Sequence, residues 1–198
     1  MQIRSEETRI HILGAASHLF SESGYDAASV AEICTAAGVS KGAFYYHFPS
    51  KQALFLALLE TWLQGLDAAF EKIQQEAVSV PQALQAMAQM AGNVLQSSDT
   101  SLPIILEFWM QAYRDPAIWE ASIAPYRRYQ NYFSSMLQRG IQEGTLHPVD
   151  PQIAARVTVS LGMGLLLQAL FDTESTPWEK VVRQCVDLLL NGLSRRNA

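Results

Sequence analysis

Cysteine is scarce in this chain. Cys34 and Cys185 are the only two among 198 residues, and two distant cysteines make neither a disulfide framework nor a metal cluster. Both fall in apolar-periodic segments, which fits buried thiols in a reducing compartment. Charge is sparse as well. Only 17% of residues are charged against 49% apolar, so the chain has the means to bury a substantial core and is not disordered as a whole. The formal net charge of -5 argues against a generic polyanion binder but leaves room for a small basic reading head. No unbroken apolar run reaches the ~18 residues of a membrane span. The nearest, VTVSLGMGLLLQALF at 157–171, contains Ser160 and Gln168 and reads as a buried helix. The N-terminal MQIRSEETRIHILGAA has no signal-peptide plan. A cytoplasmic protein with no membrane partner is expected.

Catalytic signatures are missing too. HExxH, a Walker loop, GxSxG and paired cysteine-histidine clusters do not occur. The four histidines, His11, His18, His47 and His147, are scattered. His11 and His18 share a helix face, where surface or rim positions explain them. No enzyme activity, metal or cofactor is expected.

What is present is helical. Ile10, Leu13, Leu19 and Phe20 carry near-helical spacing through residues 6–22, with a stop at Gly24. Ser29 with Glu32 three residues later predicts a capping box opening a second helix, ended by Gly38. Ser40 caps a short third helix that Pro49 forbids from running on. A fourth runs over about 51–76, and Pro81 stands in the first turn of a fifth reaching about Leu95. The polar run QSSDTS, 96–101, reads as a loop. A sixth helix covers about 102–113. The next begins near 115–116, and Pro125 is placed to kink or divide it. GTLHPVDP, 144–151, is a break before the last two helices, near 151–171 and 177–193. No strand pattern competes. The expected fold is all-α with about nine helices: residues 1–50 form a three-helix head with a helix-turn-helix, and 51–198 a larger helical bundle.

The head has the plan of a DNA reader. Very little chain separates the helix ending at Gly38 from the one starting at Ser40, which forces a sharp angle. In such a unit the N-terminal end of the second helix enters the major groove. Here that end is Ser40, Lys41, Gly42 and Ala43. Lys41 has the chemistry to donate to guanine or to a phosphate, Gly42 and Ala43 allow close approach, and Ala43 suits a thymine methyl. Phe44 and Phe48, four apart, anchor the short helix. Tyr45 and His47 face elsewhere with tips suited to phosphate oxygens. Tyr46 is open between core edge and backbone contact. Lys51, in the first turn of the fourth helix, opposes the helix dipole, and a phosphate at that terminus would resolve the conflict. Ser29 is suited to capping, to phosphate contact, or to both. Residues 1–51 hold four Lys or Arg against five Asp or Glu, so electrostatic grip is expected to be modest. Arg4 and Arg9 are further candidates for phosphate or the minor groove. A head that binds protein rather than DNA is the competing reading.

The run TRIHILGAASHLFSESGYDAASVAEICTAAGVSKGAFYYHFPSKQALF, 8–55, closely resembles the N-terminal domain of the TetR family of bacterial transcriptional regulators. Its marks are LF-x-x-x-G-Y at 19–25, S-V-x-x-I at 29–33 and A-G-V-S-x-G-x-x-Y-x-H-F-x-x-K-x-x-L at 37–54. The resemblance implies a homodimer on a palindromic double-stranded operator, most often a repressor, with a small-molecule effector bound in the C-terminal domain. It implies base-facing positions at Lys41, Gly42 and Ala43. Phosphate contacts fall at Tyr45, His47 and Lys51, with Ser29 and Ser40 beside them. It makes 51–198 a ligand-binding and dimerisation domain whose last two helices form the dimer interface. Val157, Leu161, Gly164, Leu165 and Gln168 fall on the first of these, and Val181, Cys185, Leu188 and Leu189 on the second. Packing within one monomer is the alternative for these residues. The middle helices concentrate aromatics, and Trp62, Phe108, Trp109, Tyr113, Tyr126, Tyr129 and Phe133 are the candidate lining of an effector pocket, with plain core as the alternative. A low-charge, aromatic body favours an apolar or aromatic effector.

Overall fold

The computed structural model describes residues 2–96, 101–172 and 176–193. Among these, every regular element is a helix: α1 (Gln2–Ser23), α2 (Val30–Ala37), α3 (Lys41–His47), α4 (Lys51–Glu76), α5 (Val80–Gln96), α6 (Ser101–Arg114), α7 (Pro116–Gln142), α8 (Pro151–Phe171) and α9 (Trp178–Leu193). The all-α expectation holds. The loop expected at 96–101 lies, apart from its two ends, outside the described residues. Punctuation follows local chemistry. α1 stops at Gly24, whose φ is +80°. Asp150 caps α8 by accepting from the amides of Gln152 at 2.8 Å and Ile153 at 3.3 Å, with Pro151 in the first helical position. α7 runs through Pro125 undivided.

Packing divides the chain into two compact units, Met1–Gly65 with Thr100–Ser122, and Leu66–Asp99 with Ile123–Ala198. The division differs from the boundary expected after residue 50. α4 gives residues 51–65 to the first unit and 66–76 to the second, and α6 joins the first. The reason is aromatic. The Phe108 ring of α6 stacks on Phe55 of α4 with centroids 3.9 Å apart, and both are buried with Ile12, Phe20, Ile33, Phe44 and Leu54 in one core. Pattern marks an apolar face on α6 but not the core it enters.

The second unit has two buried clusters. Phe70, Val80, Leu84, Met87, Phe133, Met136, Leu137 and Leu146 form the larger. Ala88, Leu165, Trp178 and Val182 form the smaller, where α5 and α9 run close together. Gly92 is the reason they fit: a Cβ there would lie 2.7 Å from the Glu179 Cα and 3.3 Å from its carbonyl oxygen. α8 departs from expectation. It was expected to be buried, yet only Ala154, Ala155 and Leu165 are, and Phe171 is 73% exposed. α4 and α8 are also, by length and composition, long and apolar enough to cross a membrane. Polar residues interrupt both helices, so neither contains an unbroken apolar run of that length.

Backbone-to-backbone contact leaves no flexible side chain to yield at Gly92. Gly92→Ala is therefore expected to destabilise the fold by about 1–3 kcal/mol, read as a lower thermal midpoint. Gly65→Ala, where a Cβ meets nothing within 4 Å, is expected to be neutral or to stabilise α4 by up to ~1 kcal/mol. Equal midpoints for the two variants would contradict the close α5–α9 approach.

Candidate nucleic-acid interface

The helix-turn-helix is built from three consecutive caps. At Ser29 the predicted capping box is present: the side chain accepts from the Glu32 amide at 3.2 Å, and the Ser29 amide donates to the Glu32 carboxylate at 2.8 Å. At Gly38 the chain turns with φ +66° and ψ +33°. The Gly38 amide donates to the Thr35 carbonyl at 3.2 Å, and that of Val39 to the Cys34 carbonyl at 3.0 Å. This is a Schellman end, and its left-handed residue favours glycine. Ser40 then caps α3, accepting from the Ala43 amide at 3.1 Å. Ser50 repeats the device for α4 at the Ala53 amide, 3.0 Å.

These caps leave α3 with one buried side and one open side. Phe44 is 0% exposed and Phe48 is buried beside it, with ring centroids 6.1 Å apart. Lys41 and Gly42 are exposed and Ala43 is half-buried. Tyr45 projects outward, and Tyr46, open between core edge and backbone contact in the sequence, is 80% exposed. His47 is half-buried. The structure thus brings Ser40, Lys41, Gly42, Tyr45 and Tyr46 onto one accessible helix. As a cap, the Ser40 hydroxyl uses a lone pair and keeps an O–H for donation to a phosphate. Arg9, held as a possible groove or phosphate contact, stands 5.7 Å over the Phe48 ring.

Lys51, which the resemblance makes a phosphate contact, has partners within the chain in the DNA-free protein. Its ammonium donates to the backbone carbonyls of Tyr25 at 2.8 Å and Ala28 at 2.9 Å, with Asp26 at 3.4 Å. It also lies 4.4 Å from the centroid of the Tyr25 ring. Those carbonyls lie more than twenty residues upstream, beyond any local pattern.

The seven candidate pocket aromatics are divided between the two packing units. Trp62, Phe108, Trp109 and Tyr113 fall in the first unit, and Tyr126, Tyr129 and Phe133 in the second. Phe108 and Phe133 are core residues of their units. Tyr113 is 91% exposed. Tyr129 donates to Asp67 at 2.8 Å, and Arg128 pairs with the other Asp67 oxygen at 2.8 Å. Burial first, and then the bond to Asp67, push the Tyr129 hydroxyl up to about 12. A separate cleft of about 180 Å³ in the second unit is lined by Gln74, Val78, Arg139 and Glu143 among others, and none of the seven reaches it.

The candidate interface residues divide as well. Leu165 is buried in the smaller cluster, against which Leu161, Val181 and Cys185 pack, and Leu189 packs on the larger one. These residues pack on the buried clusters of the second unit. Val157, Gln168 and Leu188 are exposed, Leu188 at 72%, and Gly164 is intermediate. Among the described residues, no group of three or more His, Cys, Asp or Glu is placed to hold a metal ion.

Glu32 ties the first cap to pH. Bonds from the Ser29 hydroxyl and amide hold its carboxyl below the usual value of 4.5. A lowered folded value means the contribution is complete above the ordinary carboxylate range and is lost as pH falls through the folded value. Ser29→Ala is expected to cost about 1 kcal/mol at neutral pH. Its thermal-midpoint deficit against the unsubstituted protein should narrow as pH falls below 4.5. A deficit independent of pH would show that the reciprocal bond carries none of the cap.

Comparison with known proteins matches this geometry. Residues 12–58 match the family described as "Bacterial regulatory proteins, tetR family", and residues 81–193 match "BetI-type transcriptional repressor, C-terminal". The uncharacterized HTH-type transcriptional regulator YfiR of Bacillus subtilis is 26% identical over 176 residues, 85% of this chain and 83% of that protein. The solved structure of PfmR, a TetR family transcriptional regulator from Thermus thermophilus, is 30% identical with a TM-score of 0.74, covering 93% of this chain and 99% of that one. A putative transcriptional regulator from Saccharomonospora viridis, crystallised in complex with choline, shares the fold. Its TM-score is 0.85 at 20% identity, covering 96% of this chain and 100% of the other.

Proposed function

This chain belongs to the tetR family of bacterial regulatory proteins and is a DNA-binding transcriptional regulator, and from that premise we propose a homodimeric repressor released from a palindromic operator by a small effector. The observation that carries the reading is the single-sided anchoring of α3. Phe44 and Phe48 are buried, while Lys41, Gly42, Tyr45 and Tyr46 stand open at and beyond its N-terminal end. In this reading Lys41, Gly42 and Ala43 meet base edges, and Ser29, Ser40, Tyr45, His47 and Lys51 meet phosphates. The protein acts in the cytoplasm, where the operator is, and has no catalytic role.

The dimer is supported by unspent apolar surface. Ile153, Val157, Phe171 and Leu188 are exposed on α8 and α9, the two helices that close the chain. A symmetric partner covers such a face with the same face, and two heads one helical turn apart read more sequence than one. The effector is assigned a small, apolar or aromatic character from the low charge and aromatic content of the body. The choline bound to the Saccharomonospora viridis protein and the name of a ketosteroid regulator from Mycobacterium tuberculosis support a small organic molecule.

Selection of bound duplexes from a random-sequence library is expected to return an inverted repeat. Lys41→Ala should weaken binding to it by about 1–3 kcal/mol and relax the preference at the contacted position. Tyr45→Phe should weaken all sequences alike. Recovery of no preferred duplex would overturn the reading.

The dimer has its own test. Val157→Glu with Leu188→Glu, both at exposed sites, should leave the helical content unchanged and shift the sedimenting species from dimer to monomer. A variant that stays dimeric places the interface elsewhere.

A further inference from the structure

We infer that Gly65 of α4 and Pro125 of α7 form a paired hinge, about which the unit carrying the reading helix turns. The hinge is a property of the free chain; its use in regulation rests on the DNA-binding reading above.

The chain passes from one packing unit to the other inside α4, between Gly65 and Leu66, and inside α7, between Ser122 and Ile123. A third passage, at 99–100, lies outside the described residues. Both helices are anchored on either side of the passage. In the first unit Phe55 of α4 stacks on Phe108, Gln52 donates to Asp115 just before α7 at 2.8 Å, and Ile118 of α7 joins the same core. In the second, the Phe70 ring of α4 lies 5.6 Å from that of Tyr132 and 5.8 Å from that of Phe133 on α7. Beside them Asp67 of α4 accepts from Tyr129 and pairs with Arg128, both at 2.8 Å. Between these anchors the packing thins. No residue of α4 from 56 to 69 is buried, and no described residue of α7 from 119 to 132 is.

Each thinly packed stretch holds a residue that weakens a helix through its backbone. Gly65 is the single glycine of α4, and glycine lowers helix formation about fivefold relative to alanine. Neither structural reason that keeps a glycine applies to it. Its φ is not positive, and a Cβ there would meet nothing within 4 Å. Pro125 lies inside α7, where proline disfavours the helix by roughly a hundredfold. It has no N–H, so the Ala121 carbonyl one turn back receives no bond from it. The omitted bond is one that would have tied the end of the first unit to the start of the second. Glycine and proline are also residues at which helices bend. One weak helix beside a rigid one would leave the passage locked. With a weak point in both, a few backbone angles absorb the turn and neither core has to open. Duplex binding then selects from the range of bends that the free protein samples.

The test uses the full-length protein with genetically encoded spin labels at Ser23 in the first unit and Gln138 in the second, both exposed. Cys34 and Cys185 stay as they are. Labelled chains are diluted with an excess of unlabelled ones, so that distances within one chain are read. The unsubstituted protein is compared with Gly65→Ala, Pro125→Ala and the two combined. Gly14→Ala is the control: it too is a helix glycine with open space around it, but it lies within the first unit. The hinge predicts a broad distribution of label distances in the free protein. Either substitution narrows it, the pair narrows it most, and Gly14→Ala leaves it unchanged. The duplex selected by the unsubstituted protein narrows the distribution of that protein as well. A distribution that is narrow from the start, or that Gly65→Ala leaves broad, overturns the inference, and this arm stands even if Pro125→Ala does not fold. Equal narrowing by Gly14→Ala overturns it too, because general stiffening is then the cause. A broad distribution that bound duplex leaves unchanged overturns the regulatory use. If no duplex is selected, the functional reading fails, while the distances in the free protein still report whether the hinge exists.

Discussion

A helix of seven residues does not hold itself together in water, and the reading helix α3 has only seven. The head is organised around supporting it from outside. Its start is set by the left-handed turn at Gly38 and the Ser40 cap, its middle is pinned by Phe44 in the core, and its end is stopped at Phe48. Because all anchoring comes from one side, the opposite side carries no structural duty. That freedom lets Lys41, Gly42, Tyr45 and Tyr46 stand exposed without weakening the fold.

The same economy explains why α6 joins the first packing unit. Burying a large aromatic contributes more than any surface contact available to the head, and Phe108 stacked on Phe55 ties α6 to the start of α4. Charge adds little by comparison. The head has as many ways to lose electrostatic grip as to gain it, with five acids against four bases in residues 1–51. With little bulk potential available, salt dependence of DNA binding is expected to be shallow.

In the second unit, small residues and apolar length carry the argument. α5 and α9 approach closely because Gly92 has no Cβ to obstruct Glu179. α8 buries only Ala154, Ala155 and Leu165 fully, and Ile153, Val157 and Phe171 lie open, as does Leu188 of α9. Exposed large apolar residues mark interaction surfaces when they gather in a patch, which is the physical basis for the proposed second copy.

Much of the fold was legible because it is written locally. Capping boxes, proline positions and glycine stops act within three or four residues, so the helices and the sharp turn at Gly38 were present in the order of residues. The candidate interface was less legible: Leu165 has the same spacing as its exposed neighbours, and only packing separates a core residue from a surface one. Burial of the aromatics was not legible either, since Tyr113 is exposed while Phe108 is core, and spacing along a helix does not say which side a neighbour covers. Lys51 marks the limit most clearly. The sequence by itself determined that a lysine opens α4 against the helix dipole and requires negative charge nearby. Only the tertiary structure decided that the charge comes from carbonyls of the Tyr25–Ala28 turn, because a partner more than twenty residues away is brought within 3 Å by the closing of a core, not by any local preference of the chain.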